Sequence, residues 1–270
     1  MCSPVIKWVG GKRQLMSEIK SRLPKNYNRY LEPFIGGAAV FFELGHKNSI
    51  INDFNAELTN LYSVIKNQPE DLFEDLKYHK NEKEYYYQIR ALDRDIEAYQ
   101  KLSDLEKASR FIYLNKNGFN GLYRVNKKGQ YNVPFGDIKN PKYADKQNLI
   151  NCSRLLKSTK ILTGDFENIK PYINEGDFIY IDPPYVPVSL TSDFTSYTSA
   201  GFGKEDHIRL KNMCDFIDEK NAFFMLSNSE TDFVKTLYSD YKIDIVQASR
   251  ALNSNGKGRG KVGEVLVRNY

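Results

Sequence analysis

The chain has 270 residues, of which 41% are hydrophobic and 27% charged, and its formal net charge is +5. This composition reads as a soluble globular chain long enough to bury a sizeable core. Nothing approaches roughly 18 consecutive apolar residues, so no membrane span is expected.

The opening Met1-Cys2-Ser3-Pro4 lacks the basic-then-apolar layout of a signal peptide. Cys2, Cys152 and Cys214 are scattered, which predicts reduced thiols and a cytoplasmic location. They form no CxxC pair, and His46, His79 and His207 have no ligand spacing, so no metal site is expected.

Lys7-Trp8-Val9-Gly10-Gly11-Lys12 comes first. Its glycines allow positive φ and close approach of a ligand to the backbone. Lys12 opens a helix expected to run to about Arg22. The GxxxxGK[ST] spacing is missing, which excludes a phosphate-loop ATPase. Trp8 is either core or an aromatic wall for a ligand.

Arg29 to Glu32 reads as a strand, followed by Glu32-Pro33-Phe34-Ile35-Gly36-Gly37 and a helical stretch from Ala38 to Leu44. Strand, glycine turn and helix make the first unit of a nucleotide-binding sheet, although the spacing is not GxGxxG. The next strand, Ser49 to Asn52, ends at Asp53. An acidic residue there takes ribose hydroxyls, or caps the helix from Asn55 onward, or does both.

From about Glu57 to Asp145 helical patterns dominate: Ala56–Lys66, Pro69–His79, Lys83–Tyr99 and Leu105–Leu114. A hairpin follows, with arms Tyr123–Asn126 and Gln130–Val133 around Lys127-Lys128-Gly129. Residues 57–145 are therefore expected to be a domain inserted into a core of residues 1–56 and 146–270. From Lys107 to Gly136 there are six basic residues and no acid, and Arg250 to Lys261 is acid-free too. Such stretches suit a phosphate backbone.

The sheet pattern resumes with helix Gln147–Leu156, strand Lys160–Leu162 and Gly164-Asp165-Phe166. The apolar run Asp177–Ile181 then ends in Asp182-Pro183-Pro184-Tyr185. Two prolines offer no backbone N–H and cannot continue a central strand, so the chain leaves the sheet in a fixed turn. Carboxylate, proline carbonyl and ring are then held together at the strand's C-terminal edge, where open α/β sheets bind ligands. The Asp oxygen and a carbonyl can each accept one N–H of an exocyclic amine while the ring stacks on the base. Val186 to Gly203 reads as a mobile loop beside this site. Helix Lys204–Glu219, strand Ala222–Leu226 and helix Thr231–Ser239 follow, then an antiparallel pair, Lys242–Ala248 with Glu264–Asn269. The expected fold is α/β, with a mainly parallel sheet, helices on both faces and a C-terminal antiparallel hairpin.

Together these blocks resemble the Dam-type DNA adenine-N6 methyltransferases that recognise GATC. The resemblance rests on Lys7–Lys12, Glu32–Gly37 and Asp182–Tyr185, with Asn115–Arg124 and Asn132–Gly136, in the order of the family's alpha arrangement. It implies the class I methyltransferase fold, S-adenosyl-L-methionine as methyl donor and double-stranded DNA as partner; a monomer acting on the duplex is expected. By the same resemblance Trp8, Lys12, Glu32, Pro33, Phe34, Gly36, Gly37, Asp53 and Asp182 line the cofactor site, with Asp165 and Phe166 on its adenine. Asp182, Pro183, Pro184 and Tyr185 are catalytic on a flipped adenine. Arg124 is the candidate guanine reader. Lys7, Leu122 and Pro134 also match DNA-contacting positions, and Phe119 and Asn120 match positions at the gap left by flipping. Asp137-Ile138 stands where some relatives carry Arg-Tyr, which points to one altered DNA contact. Cytosine-N4 methylation fits the same pocket, and a catalytically silent DNA-binding regulator is the reading from another class.

Overall fold

The computed structural model describes residues 2–187, 202–249 and 261–270, with the side chains of 248, 249, 261 and 262 left aside. The loop expected at Val186–Gly203 and the basic stretch from Arg250 therefore lie largely outside the described residues. In chain order the elements are α1 (Met16–Ser21), β1 (Tyr30–Glu32), α2 (Ala39–Leu44), β2 (Ile50–Asp53), α3 (Ala56–Asn67), α4 (Pro69–Leu76), α5 (Lys83–Ala91), α6 (Ile96–Lys101) and α7 (Asp104–Asn117). They continue with α8 (Lys146–Leu156), β3 (Lys160–Thr163), β4 (Phe178–Ile181), α9 (Lys204–Glu219), β5 (Phe223–Ser229), α10 (Asp232–Leu237), β6 (Lys242–Ser249) and β7 (Lys261–Arg268). The chain divides into two compact units. One holds Met1–Lys12, Ile35–Asn48 and Asp53–Gly164; the other holds Arg13–Phe34, Ser49–Asn52 and Asp165–Tyr270.

The second unit is built on a sheet whose strands run in the order β2-β1-β4-β5-β7-β6. β1 pairs in parallel with β2 and β4, and β4 in parallel with β5. β7 enters antiparallel between β5 and β6. The sheet is α/β and mainly parallel with a C-terminal antiparallel pair, as the alternation of elements predicts. β4 shows why its sequence is one apolar run: all four residues, Phe178 to Ile181, are buried. Strands covered on both faces carry no alternation. At its start, Asp177 is anchored by Arg29, which donates from Nε to Oδ1 at 3.0 Å and from a terminal nitrogen to Oδ2 at 2.6 Å.

His207 on α9 is buried, with Phe202 edge-on at 4.9 Å and Phe233 at 6.1 Å. Neither ring nitrogen finds a partner among the described residues. Burial therefore pulls its pKa from the usual 6.5 down to about 4, against the smaller opposing effect of Asp206. The folded pKa lies below the unfolded one, so the unfolded chain takes the proton first as pH falls through 6.5. Stability is full above that value and is lost toward pH 4. The expected loss by pH 5 is about 2 kcal/mol. Urea unfolding at pH 7.5 and pH 5 checks it: His207→Leu should remove that share of the pH dependence, and an unchanged dependence contradicts it.

The first unit is mostly helical. α3 is capped by Asn55, whose side chain accepts from the Glu57 N–H at 3.0 Å. Asp53 is thus not the cap that the spacing allowed. The helix expected over Lys83–Tyr99 breaks into α5, a short turn and α6, because Asp95 accepts from the Ala98 N–H at 3.0 Å and starts a new helix. Lys12 opens only a three-residue turn before α1, and that turn ends at Gln14. α7 begins with a full capping box between Ser103 and Glu106. The expected hairpin is present but narrow. Val125 and Tyr131 form its one bridge, flanked by bonds from Asn126 N to Gln130 O at 2.8 Å and from Asn132 N to Arg124 O at 3.0 Å. The Asn126 side chain holds the turn, accepting from the N–H groups of Lys128 at 2.9 Å and Gln130 at 3.1 Å.

Candidate active site

In the second unit the site grows out of the end of β4. Asp182 is half-buried, and its Oδ1 accepts from the Ser227 hydroxyl at 3.0 Å. Pro183 is buried and Pro184 exposed. The Tyr185 hydroxyl donates to Glu264 Oε2 at 2.8 Å, and the Val186 N–H donates to Asn228 Oδ1 at 3.0 Å. Burial first, and the Asp182 charge second, push the Tyr185 phenol far above its ordinary range. The turn is therefore pinned along its length by the polar ends of β5 and β7. The strand Asp182-Pro183-Pro184-Tyr185 leaves is apolar, whereas the atoms that catch it are Ser, Asn and Glu.

Of the other predicted residues in this unit, Pro33, Phe34, Asp165 and Phe166 come together although they lie far apart in sequence. Glu32 is buried and accepts from the Tyr30 hydroxyl at 2.6 Å. The Asn52 amide donates to Pro33 O at 3.0 Å and to Asp165 O at 3.4 Å. Phe34 stacks on Phe166, with centroids 5.5 Å apart at 27°. Asp165 caps the turn that follows, accepting from the Glu167 N–H at 2.9 Å. Arg209 bridges Asp165 and Glu167 at 2.9 Å each and lies 4.8 Å from the centre of the Phe166 ring. This pairing holds Arg209 well above its ordinary pKa.

In the first unit, Trp8 resolves between its two readings in an unforeseen way. The ring is half-buried and stacks on Tyr123 at 5.5 Å and on Phe111 at 6.4 Å. The glycine pair exists partly for this ring. Gly36 has φ +45°, and a Cβ there would lie 2.8 Å from Trp8 Nε1, while one on Gly37 would lie 2.7 Å from Trp8 Cβ. Asp53 holds the same loop: its carboxylate accepts from the Gly36 N–H and the Asn55 N–H, both at 2.9 Å. Burial raises the Asp53 pKa while these N–H groups pull it down. Lys12 is buried and donates to Gly10 O at 2.8 Å.

The predicted recognition residues share this unit. Asn115 locks Lys7 from both sides, accepting from its N–H and donating to its C=O, each at 2.8 Å, and also donates to Gly121 O at 2.9 Å. Gly121 sits at φ +64°, and a Cβ there would lie 2.5 Å from Lys7 Cδ. Phe119 is exposed, and Asn120 follows in the left-handed region at φ 56°. Leu122 packs on the cluster of Tyr86, Tyr113, Leu114, Tyr131 and Val133. The Pro134 carbonyl accepts from the Phe119 N–H at 2.9 Å, which ties those two stretches together. Arg124 is exposed and forks onto Asn132, reaching Oδ1 at 2.7 Å and the carbonyl at 3.3 Å.

Sequence reasoning missed Ser227, Glu264 and Arg209, and gave Asn115 no role beyond its place in a matching block. One signal was available: Phe223–Leu226 is apolar, then Ser227-Asn228-Ser229 turns polar at the strand's C-terminal end. In the second unit the side chains suit S-adenosyl-L-methionine, the methyl donor that the resemblance implies. The Asp182 carboxylate suits its cationic groups, and the Phe34–Phe166 stack suits its base. Among the described residues no group of His, Cys, Asp and Glu is placed to hold a metal ion. No helix among them is long and apolar enough to cross a membrane.

Known proteins agree with this chemistry. Type II methyltransferase M1.LlaDCHI of Lactococcus lactis is 47% identical over 271 residues, covering 99% of this chain and 95% of that protein. Type II methyltransferase M.MjaIII of Methanocaldococcus jannaschii is 43% identical over 287 residues, covering 99% of each. A DNA adenine methylase of Vibrio cholerae is 33% identical over 267 residues, covering 97% of this chain and 94% of that one. The description "D12 class N6 adenine-specific DNA methyltransferase" matches residues 8–252, which include every residue of the pinned Asp182–Tyr185 turn, and the chain belongs to that family.

Proposed function

We propose that this chain methylates N6 of the adenine in duplex GATC, on a base flipped out of the helix. The observation that carries this reading is the Asp182–Tyr185 turn, with its carboxylate and ring held by Ser227 and Glu264. An adenine amine is a poor nucleophile because its lone pair is delocalised into the ring. Asp182 and the Pro183 carbonyl accept its two hydrogens and draw the nitrogen toward a pyramidal form. Tyr185 stacks on the base, and Pro184 completes the rigid turn. An in-duplex base cannot reach this pocket, so it is extruded. S-adenosyl-L-methionine supplies an activated methyl group when bound. Trp8, Lys12, Gly36, Gly37, Asp53, Glu32, Pro33, Phe34, Asp165, Phe166 and Asp182 hold it, with Asp53 on the ribose. Much of the rate then comes from holding the reactants in line.

Residues 57–145 act as the recognition part. Arg124 reads a guanine, Lys7, Leu122 and Pro134 contact the site, and Phe119 and Asn120 fill the gap left by the flipped base. The enzyme works as a monomer in the cytoplasm. The names of the two type II relatives support a place in a restriction-modification system.

The test uses duplexes with single substitutions in GATC and a salt series. A bidentate Arg–guanine pair discriminates by about 1–3 kcal/mol. Arg124→Ala should relax discrimination at one guanine by a corresponding 5- to 150-fold, roughly, and leave the other positions ranked as before. A uniform loss on all sequences with a shallower salt dependence marks a phosphate contact instead. A wild-type preference for some other sequence overturns GATC.

A further inference from the structure

We propose that Ser227 and Glu264 are positioning residues for the reaction, fixing Asp182 and Tyr185 in one geometry before the base arrives. The proposal rests on the functional reading above and adds the machinery behind its two reactive side chains. Register places both residues there. Tyr180 on β4 pairs with Met225 on β5, and Ser229 on β5 pairs with Glu264 on β7. Paired residues share a face, and side chains alternate with period two. Tyr180, Ser227, Ser229 and Glu264 therefore lie on one face, and Asp182, two residues beyond Tyr180, continues it.

The proton count gives the contacts a direction. Serine has one hydroxyl proton, and Ser227 donates it to Asp182 Oδ1 at 3.0 Å. The Tyr180 hydroxyl, 3.2 Å from Ser227 Oγ, must then be the donor to Ser227. The order Tyr180 to Ser227 to Asp182 is polarised toward the carboxylate and clamps one of its oxygens. The Tyr185 phenol gives its own proton to Glu264 at 2.8 Å, so the ring cannot swing about the turn. Ser227 is fully buried and Glu264 is 9% exposed, so water does not compete strongly for either bond. Alanine would fit the Ser227 position, so packing alone does not require the hydroxyl. Each anchor bonds to a reactive side chain.

The experiment measures single-turnover methyl transfer on a GATC duplex. In parallel, the same duplex with 2-aminopurine at the target reports base extraction by fluorescence. Ser227→Ala should slow transfer about tenfold, the worth of one hydrogen bond to a charged group. KM for DNA and the fluorescence change should stay at wild-type values, and Ser227→Thr should recover most of the rate. Glu264→Ala should raise KM and reduce the fluorescence change, with partial rescue by Glu264→Gln. Tyr185→Phe removes the same bond from its other end, so combining it with Glu264→Ala should cost no more than either change alone. It also reads that bond if Glu264→Ala fails to fold, as melting curves will show. Wild-type transfer rates in Ser227→Ala, or additive losses in the double variant, overturn the positioning role. An inactive wild type without a fluorescence change overturns the functional reading as well.

Discussion

Asp182→Ala should lower methyl transfer about a thousandfold while the fold stands. Groups that handle the proton of a reacting atom contribute roughly 10²–10⁴-fold, and Asp182 also orients the amine. The structural cost is small by comparison. Asp182 is half-buried, and its removal strands the Ser227 hydroxyl, at about 1 kcal/mol. Single-turnover rates and denaturant unfolding separate the two effects. Near-normal turnover in a well-folded variant removes Asp182 from the mechanism.

The largest stability effect is expected at Arg110. Its guanidinium is 3% exposed, donates to Ile89 O at 2.9 Å and Arg90 O at 3.0 Å, and pairs with Asp93 at 2.9 Å. It also lies 5.0 Å from the centre of the Tyr99 ring. Asp93 in turn accepts from the Tyr131 N–H at 2.8 Å, so the same network carries the hairpin. Arg110→Ala takes one of two cations from Asp93, Arg94 being the other, and leaves two carbonyls without this donor. Stranding two carbonyls and weakening a buried pair in this way costs about 2–4 kcal/mol. Urea unfolding should register that loss, with the hairpin more open to proteolysis. A change below about 1 kcal/mol contradicts the assigned network.

The parts of the fold readable from sequence are those that local chemistry decides. Prolines 183 and 184 end β4 because they lack the N–H that a ladder needs, and α9 spans Lys204–Glu219, the bounds expected from sequence. The break at Asp95 was misread, because a capping Asp inside a helical pattern looks like one more surface acid. The sequence offered Asp53 as the cap of α3, and the backbone geometry puts Asn55 there instead. Trp8 and the Gly36–Gly37 pair are far apart in sequence, so their mutual fit was hidden. Ser227 and Glu264 were hidden for a related reason. Their partners depend on the β4–β5 and β5–β7 registers, which spacing along the chain does not encode.

The most direct measurement incubates plasmid DNA with the protein and S-adenosyl-L-methionine, then analyses the nucleosides by mass and cuts with methylation-sensitive nucleases. The account predicts N6-methyladenine confined to GATC sites, absent with Asp182→Ala. N4-methylcytosine, or no methylated nucleoside from well-folded wild-type protein, would contradict it.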